Sequence, residues 1–210
     1  MPRKEIQRER IRRYFLDAAR NIILQEGIEA VTTKKIADQA AYSYASIYNY
    51  FENLNELVCL AVEELAMECA RWVQERMSAD SSSQNVEAGK EGALEARIVR
   101  FAMLMVEYHA ANPNIYAPFL STSIDFGYFI RRDGHHFIHP AYGLLLEELQ
   151  GAAHLPEHER RILADILVYI FHSKMHFYLR YGTPSTLAAL EREIEEEVRF
   201  VLSRSAGAAC

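Results

Sequence analysis

Between residues 32 and 51 the chain reads TTKKIADQAAYSYASIYNYF, a run in which hydroxyl, ammonium and amide side chains alternate with small apolar ones. Two apolar groups in it have helical spacing: Ile36, Ala37 and Ala40, then Ile47 and Phe51. Thr32 and Ser43 precede them as residue types that cap helix N-termini. The pattern predicts two helices of roughly eight residues joined by about three, the proportions of a helix-turn-helix. The second helix of such a unit needs a small or polar start that can approach phosphates and base edges. Ser43-Tyr44-Ala45-Ser46 supplies that start, and Ile47 with Phe51 supplies the inward clamp.

The side chains sort by the chemistry open to them. Thr32, Thr33, Lys34, Lys35, Tyr48 and Tyr50 are candidates for phosphate contacts, which set register without reading sequence. Ser43, Tyr44, Ala45, Ser46 and Asn49 are candidates for the groove floor, where Asn49 can pair bidentately with adenine and Ala45 can pack on a thymine methyl. Arg3, Lys4 and Arg8 could reach phosphate from an N-terminal arm. The plainer reading is a three-helix cluster with a polar surface. Three tyrosines at 44, 48 and 50 weigh against it, because exposed aromatic hydrogen-bond donors are costly without a partner.

The charge distribution agrees. The chain of 210 residues has a net charge of -6, which alone argues against nucleic acid. Residues 1–51, however, hold nine Lys or Arg against six Asp or Glu, whereas the remainder holds fourteen against twenty-three. A basic head thus precedes an acidic body, and local charge decides phosphate binding. With 50% hydrophobic and 25% charged residues the chain can bury a substantial core. No apolar run reaches the roughly 18 residues of a membrane span, and MPRKEIQRERIRR is not a secretory signal. Cys59, Cys69 and Cys210 fit no metal or redox spacing, and a cytoplasmic location is expected.

The elements that must position the motif read as helices throughout. The first runs from about Arg3 to Glu26, ended by Gly27, with Ile11, Phe15, Ala18 and Ile22 at spacings of three and four. After the two short helices, another spans Leu54 to Met77. The stretch 78–92, SADSSSQNVEAGKEG, is a polar break and a candidate mobile loop. Further helices are predicted over 94–111, near 114–125, over His135–Gln150 entered at Pro140, from Glu157 to Tyr181, and from Ser185 to Leu202. FGYFIRRDG is read as irregular. The fold class expected is all-α, with about nine helices: a helix-turn-helix DNA-binding head over residues 1–53 and a larger helical body over 54–210.

Carried further, the run from Thr32 to Phe51 and its continuation to Glu56-Leu57 resembles the DNA-binding signature of the TetR family of transcriptional regulators. The Ile36-Ala37 pair, the small residues before the second helix and the tail Ile47-Tyr48-Asn49-Tyr50-Phe51 carry the resemblance, which covers roughly residues 10–57. It implies that Thr32 caps the first short helix, that Ser43 to Ser46 open the recognition helix and that Tyr48 and Tyr50 hold phosphates. It implies an all-helical homodimer on a palindromic operator, released when a small molecule enters the body. The chain departs from the family pattern at Ala41, where glycine is usual, at Tyr42, where a small aliphatic is usual, and at Leu54, where a phosphate-binding lysine often follows.

The body is rich in aromatic residues and holds all eight histidines. Most of these read as core. A pocket for an aromatic or hydrophobic effector would draw on Phe101, Met105, Tyr108, Phe119, Phe126, Phe137, Tyr142, Tyr169, His172 and His176. His172 and His176 lie one helical turn apart and, with His139, form a speculative metal or haem set, although HxxxH alone is weak evidence. No cofactor is assigned. The last two helices show apolar stripes, and Ile166, Ile170, Leu187, Leu190, Ile194, Val198 and Val201 are candidates for a dimer interface. The function expected is a ligand-responsive repressor. An activator or a partner-controlled regulator would share the fold. An all-helical enzyme is the rival of another class, and no nucleophile, base and orienter at catalytic spacing supports it.

Overall fold

The computed structural model describes residues 3–81 and 90–207, so Cys210 and most of the polar break (82–89) lie outside the described residues. Ten α-helices and two 3-10 turns are present among the described residues, with no strand. The all-α reading therefore holds. The described residues divide into two compact units, one of residues 3–66 with 112–139, the other of 67–81 and 90–111 with 140–207.

The first unit is built on α1 (Arg3–Glu26), whose Phe15, Leu16, Ala19, Ile22 and Ile23 are buried. A 3-10 turn (Ile28–Ala30) leads to α2 (Thr33–Ala40), then α3 (Tyr44–Ile47) and the start of α4 (Leu54–Ser81). α2 buries Ile36 and Ala37, and the following stretch buries Ile47 and Phe51. Asn53 starts α4 by accepting a 2.9 Å bond from the Glu56 N–H, and Glu56 Oε2 reaches back to the Glu52 N–H at 2.5 Å.

The rest of this unit comes from the middle of the chain: α6 (Pro113–Tyr116), a 3-10 turn (Ala117–Leu120) and α7 (Gly127–Asp133). Asn114 Nδ2 donates to the Leu24 carbonyl at 2.9 Å. Asn55 holds residue 125 on both sides, accepting from the Asp125 N–H at 2.8 Å and donating to its carbonyl at 2.9 Å. Arg132 forks onto Glu63 at 2.8 and 2.9 Å. Arg13 and Arg20 both meet Glu64, at 2.7 and 3.4 Å. FGYFIRRDG is therefore a helix, not an irregular segment, and the helix expected near 114–125 is one α turn continued by one 3-10 turn.

The second unit combines the later part of α4 with α5 (Lys90–Ala111), α8 (Ala141–Leu149), α9 (Glu157–Tyr181) and α10 (Leu187–Gly207). α8 begins only after Pro140, because proline is tolerated at a helix entry and not inside. α9 has the predicted bounds, and Gly182 closes it in a left-handed conformation (φ 65), its N–H bonded to the Tyr178 carbonyl. α10 packs on α5 and α9, and α8 packs on both as well. Arg97 bridges α5 to Glu148 of α8 at 2.5 and 2.7 Å. Lys174 of α9 is held between Glu193 and Glu197 of α10 at 2.9 and 2.8 Å.

Ala41 caps α2 with φ 60 and ψ 40, the left-handed region that a Cβ disfavours. That conformation costs a non-glycine residue about 1–2 kcal/mol, and glycine gives back about 0.5–1 kcal/mol in unfolded-chain entropy. Ala41 is exposed, so removing its methyl leaves no cavity. Ala41→Gly is expected to stabilise the first unit by about 0.5–1 kcal/mol, seen as a higher denaturation midpoint in urea at unchanged slope. A lower midpoint would contradict the strain assigned here.

Candidate nucleic-acid interface

Thr32 is extended (φ -133, ψ 152), and its Oγ1 accepts the Lys35 N–H at 3.2 Å, so it caps α2 as expected. Ser43 holds the corresponding position ahead of α3 and its carbonyl accepts the Ser46 N–H at 3.0 Å. Its hydroxyl does not cap. It pairs instead with Ser46 Oγ at 2.7 Å, binding the two serines to one another. α3 is shorter than predicted, one α turn, because the bonds that follow tighten to i−3: Asn49 N–H to Ser46 O and Tyr50 N–H to Ile47 O.

Burial divides this segment. Ile47 and Phe51 are 0% and 2% exposed, whereas Tyr44 and Tyr48 are 65% and 53% exposed. Ser43, Ala45 and Asn49 are also exposed and Ser46 is half-buried. Tyr44, Ala45, Tyr48 and Asn49 are thus presented outward from a segment clamped by its other face. Thr32 and Lys34 on α2 are exposed, with Thr33 and Lys35 half-buried. Lys35 is ion-paired to Glu26, which takes up part of its charge. Tyr50 is half-buried, its ring 5.8 Å from Phe15 and under the Arg8 guanidinium at 5.4 Å. Arg3, Lys4 and Arg8 belong to the first turns of α1 and do not form a separate arm.

Tyr42, one of the departures in the turn, has a structural reason. Its ring lies 5.3 Å from Phe15 and 6.4 Å from Tyr14, filling the space between the turn and α1. The opening toward this module is a shallow groove of about 280 Å³ bounded by Tyr14, Asp17, Asn21 and Gln39.

The family model described as bacterial regulatory proteins, tetR family, matches residues 15–59, the segment just described. Over residues 15–59 the chain is similar to the TetR family. No curated protein matches the sequence. Two solved structures share the fold along nearly the whole chain. A TetR-family transcriptional regulator from Streptomyces coelicolor is 20% identical with a TM-score of 0.60, over 92% of this chain and 98% of its own. A TetR-family transcription regulator from Shewanella sp. PV-4 is 16% identical with a TM-score of 0.59, over 90% and 95%. Among the described residues no helix is long and apolar enough to cross a membrane.

The residues expected to line an effector pocket fall into separate places. In the first unit Phe119, Phe126 and Phe137 stack on one another at 5.7 to 5.9 Å and are spent on mutual packing. In the second unit Phe101 and Met105 are buried and Tyr108 packs on Trp72 at 5.3 Å. Tyr142 donates to Asp165 at 2.8 Å, and Tyr169 is 72% exposed. A cavity of about 380 Å³ in the second unit has Leu94, Leu155, Leu163 and Leu202 as apolar walls and Glu95, His154, Ser203 and Ser205 as polar groups. None of the ten candidates lines it. Aromatic residues prefer one another, and the aliphatic side chains that wall this cavity carry no such signal in the sequence.

His172 is half-buried on α9, and His176 lies edge-on to Phe177 and Tyr181 at 5.7 and 5.6 Å. Neither joins a cluster of metal-ligand geometry among the described residues, so the speculative set of His172, His176 and His139 is not assembled. Of the seven dimer-interface candidates, Leu190, Ile194 and Val198 are 0–1% exposed inside a single chain and are unavailable to a partner. Their stripe on α10 is consumed against the chain's own helices. Leu187, Ile170 and Val201 are half-buried, and Ile166 is exposed.

Burial holds the His172 imidazole below its ordinary 6.5. The unfolded chain therefore binds the proton first. The neutral ring's contribution to stability is complete above pH 6.5 and is lost as pH falls through the lower folded-state value. His172→Gln is expected to flatten the acid limb of a stability profile measured by urea denaturation from pH 7 to pH 5. An unchanged acid limb would remove His172 as its source.

Proposed function

We propose that the chain is a ligand-responsive transcriptional repressor that binds a palindromic operator as a homodimer. The observation that carries this is the presentation of Tyr44, Ala45, Tyr48 and Asn49 outward from a short segment whose Ile47 and Phe51 are locked inside. Thr32, Thr33, Lys34, Lys35, Tyr48 and Tyr50 hold phosphates in this reading, and Ser43 to Ser46 with Asn49 face the bases. Residues 1–53 act as the DNA-binding part and 54–210 as the effector and dimerisation part. The aliphatic walls and few polar groups of the 380 Å³ cavity favour a small hydrophobic effector with one or two polar atoms.

Selection of bound sites from random duplexes is expected to return an inverted repeat. On that operator Tyr48→Ala weakens binding by about tenfold, the scale of one hydrogen bond to a charged group. It does so for every sequence alike and leaves the salt slope unchanged, since tyrosine carries no charge. Asn49→Ala costs about 1–3 kcal/mol at one base position and relaxes preference there. Wild-type affinity in both variants would displace the recognition surface from this segment.

The dimer surface in this reading is the outer face of α9. Ile162, Ile166, Tyr169, Phe177 and Tyr181 are 40–72% exposed there, an apolar strip that a chain in water does not keep without cover. A second copy of the chain covers it. Ile166→Glu with Tyr169→Glu is expected to give a monomer in sedimentation and to lose operator affinity while keeping its helical signal. A persistent dimer would place the interface elsewhere.

A further inference from the structure

His109 is the one polar or charged side chain buried to 1% among the described residues. It lies on α5 one turn beyond Met105, so the two project to the same side of the helix. Cys69 of α4 faces them, its Sγ 3.6 Å from His109 Nε2 and 3.9 Å from Met105 Sδ. All three belong to the second unit, and Cys69 and Met105 are 0% and 7% exposed.

Three donors around one metal ion, at bond lengths of about 2.0–2.3 Å, stand roughly 3.5–4 Å from one another. The two distances here fall in that interval. Within this unit the donor set is a thiol, a thioether and an imidazole, and soft sulfur ligands select Cu(I) over the harder divalent ions. A zinc site draws on Cys, His and carboxylate rather than thioether and takes four ligands. Charge gives the same answer. One thiolate with one monovalent ion is neutral, whereas a divalent ion would leave a net positive charge in an interior that cannot solvate it. The surroundings are dry and aromatic: Phe171 lies 5.8 Å from the His109 ring, and Tyr108 leans on Trp72 at 5.3 Å.

We infer that Cys69, Met105 and His109 form a binding site for a single Cu(I) ion. Binding forms bonds from the metal to Sγ, Sδ and Nε2 and releases one proton from the Cys69 thiol, with no change of oxidation state. The spacing in sequence carries no metal motif, because the thiol and the other two donors come from different helices.

The test uses the full chain under anaerobic conditions and Cu(I) held by a chromophoric chelator. The wild-type protein is expected to withdraw one equivalent per chain and to quench its single tryptophan, Trp72, which lies one turn from Cys69. Cys69→Ser abolishes both signals and Cys59→Ser keeps both. Met105→Leu weakens binding by at least the roughly 10–100-fold that loss of even an outer-shell partner costs. Circular dichroism checks each fold, and if Cys69→Ser unfolds, Met105→Leu decides. Equal withdrawal by wild type and Met105→Leu, or loss in Cys59→Ser, overturns the site. Zn(II) bound as tightly and indifferent to Met105→Leu overturns its assignment to a soft monovalent ion. The readout is the metal alone, so the site stands or falls independently of operator binding.

Discussion

Phe15, fully buried at the centre of α1, is touched by Tyr42 from the turn, Tyr50 from beyond α3 and Phe51 from the approach to α4, with ring centroids 5.3 to 6.4 Å away. The module depends on this aromatic cluster. A helix of four residues has no stability of its own, since nucleation alone outweighs the few hydrogen bonds it makes. α3 therefore takes its shape and direction from what holds its buried side. Aromatic contacts of this kind contribute about 0.5–1.5 kcal/mol each beyond their burial. They fix Ile47 and Phe51 inward, and by the geometry of a helical turn that same constraint sends Tyr44, Ala45, Tyr48 and Asn49 outward.

Several cations around this core are committed to carboxylates. Arg13 and Arg20 are drawn to Glu64, Arg132 to Glu63 and Asp133, and Lys35 to Glu26. Exposed pairs contribute little to stability, at most about 1 kcal/mol each. Their effect here is on register. Each ties a point on one helix to a point distant in sequence, as Arg132 does between α7 and α4. The same holds in the second unit, where Lys174 is held by two glutamates of α10 and Arg199 meets both Glu195 and Glu95. The small positive excess of the first 51 residues is thus partly neutralised in place, and hydrogen bonding from neutral tyrosine and serine carries more of the burden at the proposed interface.

How much of this is legible in the sequence depends on whether the signal is local. Thr32 as a cap, Gly27 and Gly182 as helix ends and the span of α9 all follow from one residue type and its immediate neighbours, and all are found. The left-handed Ala41 was legible only through the resemblance, which has glycine at that place. The hydroxyl of Ser43 was not, because its competitor, Ser46, lies within reach only after α3 has formed. Tyr42 read as a departure, and its packing on Phe15 needs the tertiary fold. The surroundings of the aromatic candidates were not legible for a related reason. Aromatic content says that rings will be buried and not whether they face a cavity or each other, and Phe119, Phe126 and Phe137 chose each other.

The two last helices show what an apolar stripe can and cannot say. α10 has a single stripe, and a helix with one apolar face buries that face once. Leu190, Ile194 and Val198 have done so inside the chain, which leaves the outer side to Arg192, Glu196, Arg199 and a single large apolar side chain, Phe200. α9 is apolar over much more of its circumference. Leu163, Ala164, Leu167, Phe171 and Met175 fill the core, and Ile162, Ile166, Tyr169, Phe177 and Tyr181 remain on the surface. A helix that is apolar all round is stable only when covered on both sides. Burial returns about 25 cal/mol for each Å² of apolar surface, so several large side chains in a row make a substantial driving force for association. The distinction between a stripe that builds the fold and one that builds an assembly lies in how much apolar surface is left after the chain has packed on itself. That quantity belongs to the structure, and it is larger on α9 than on α10.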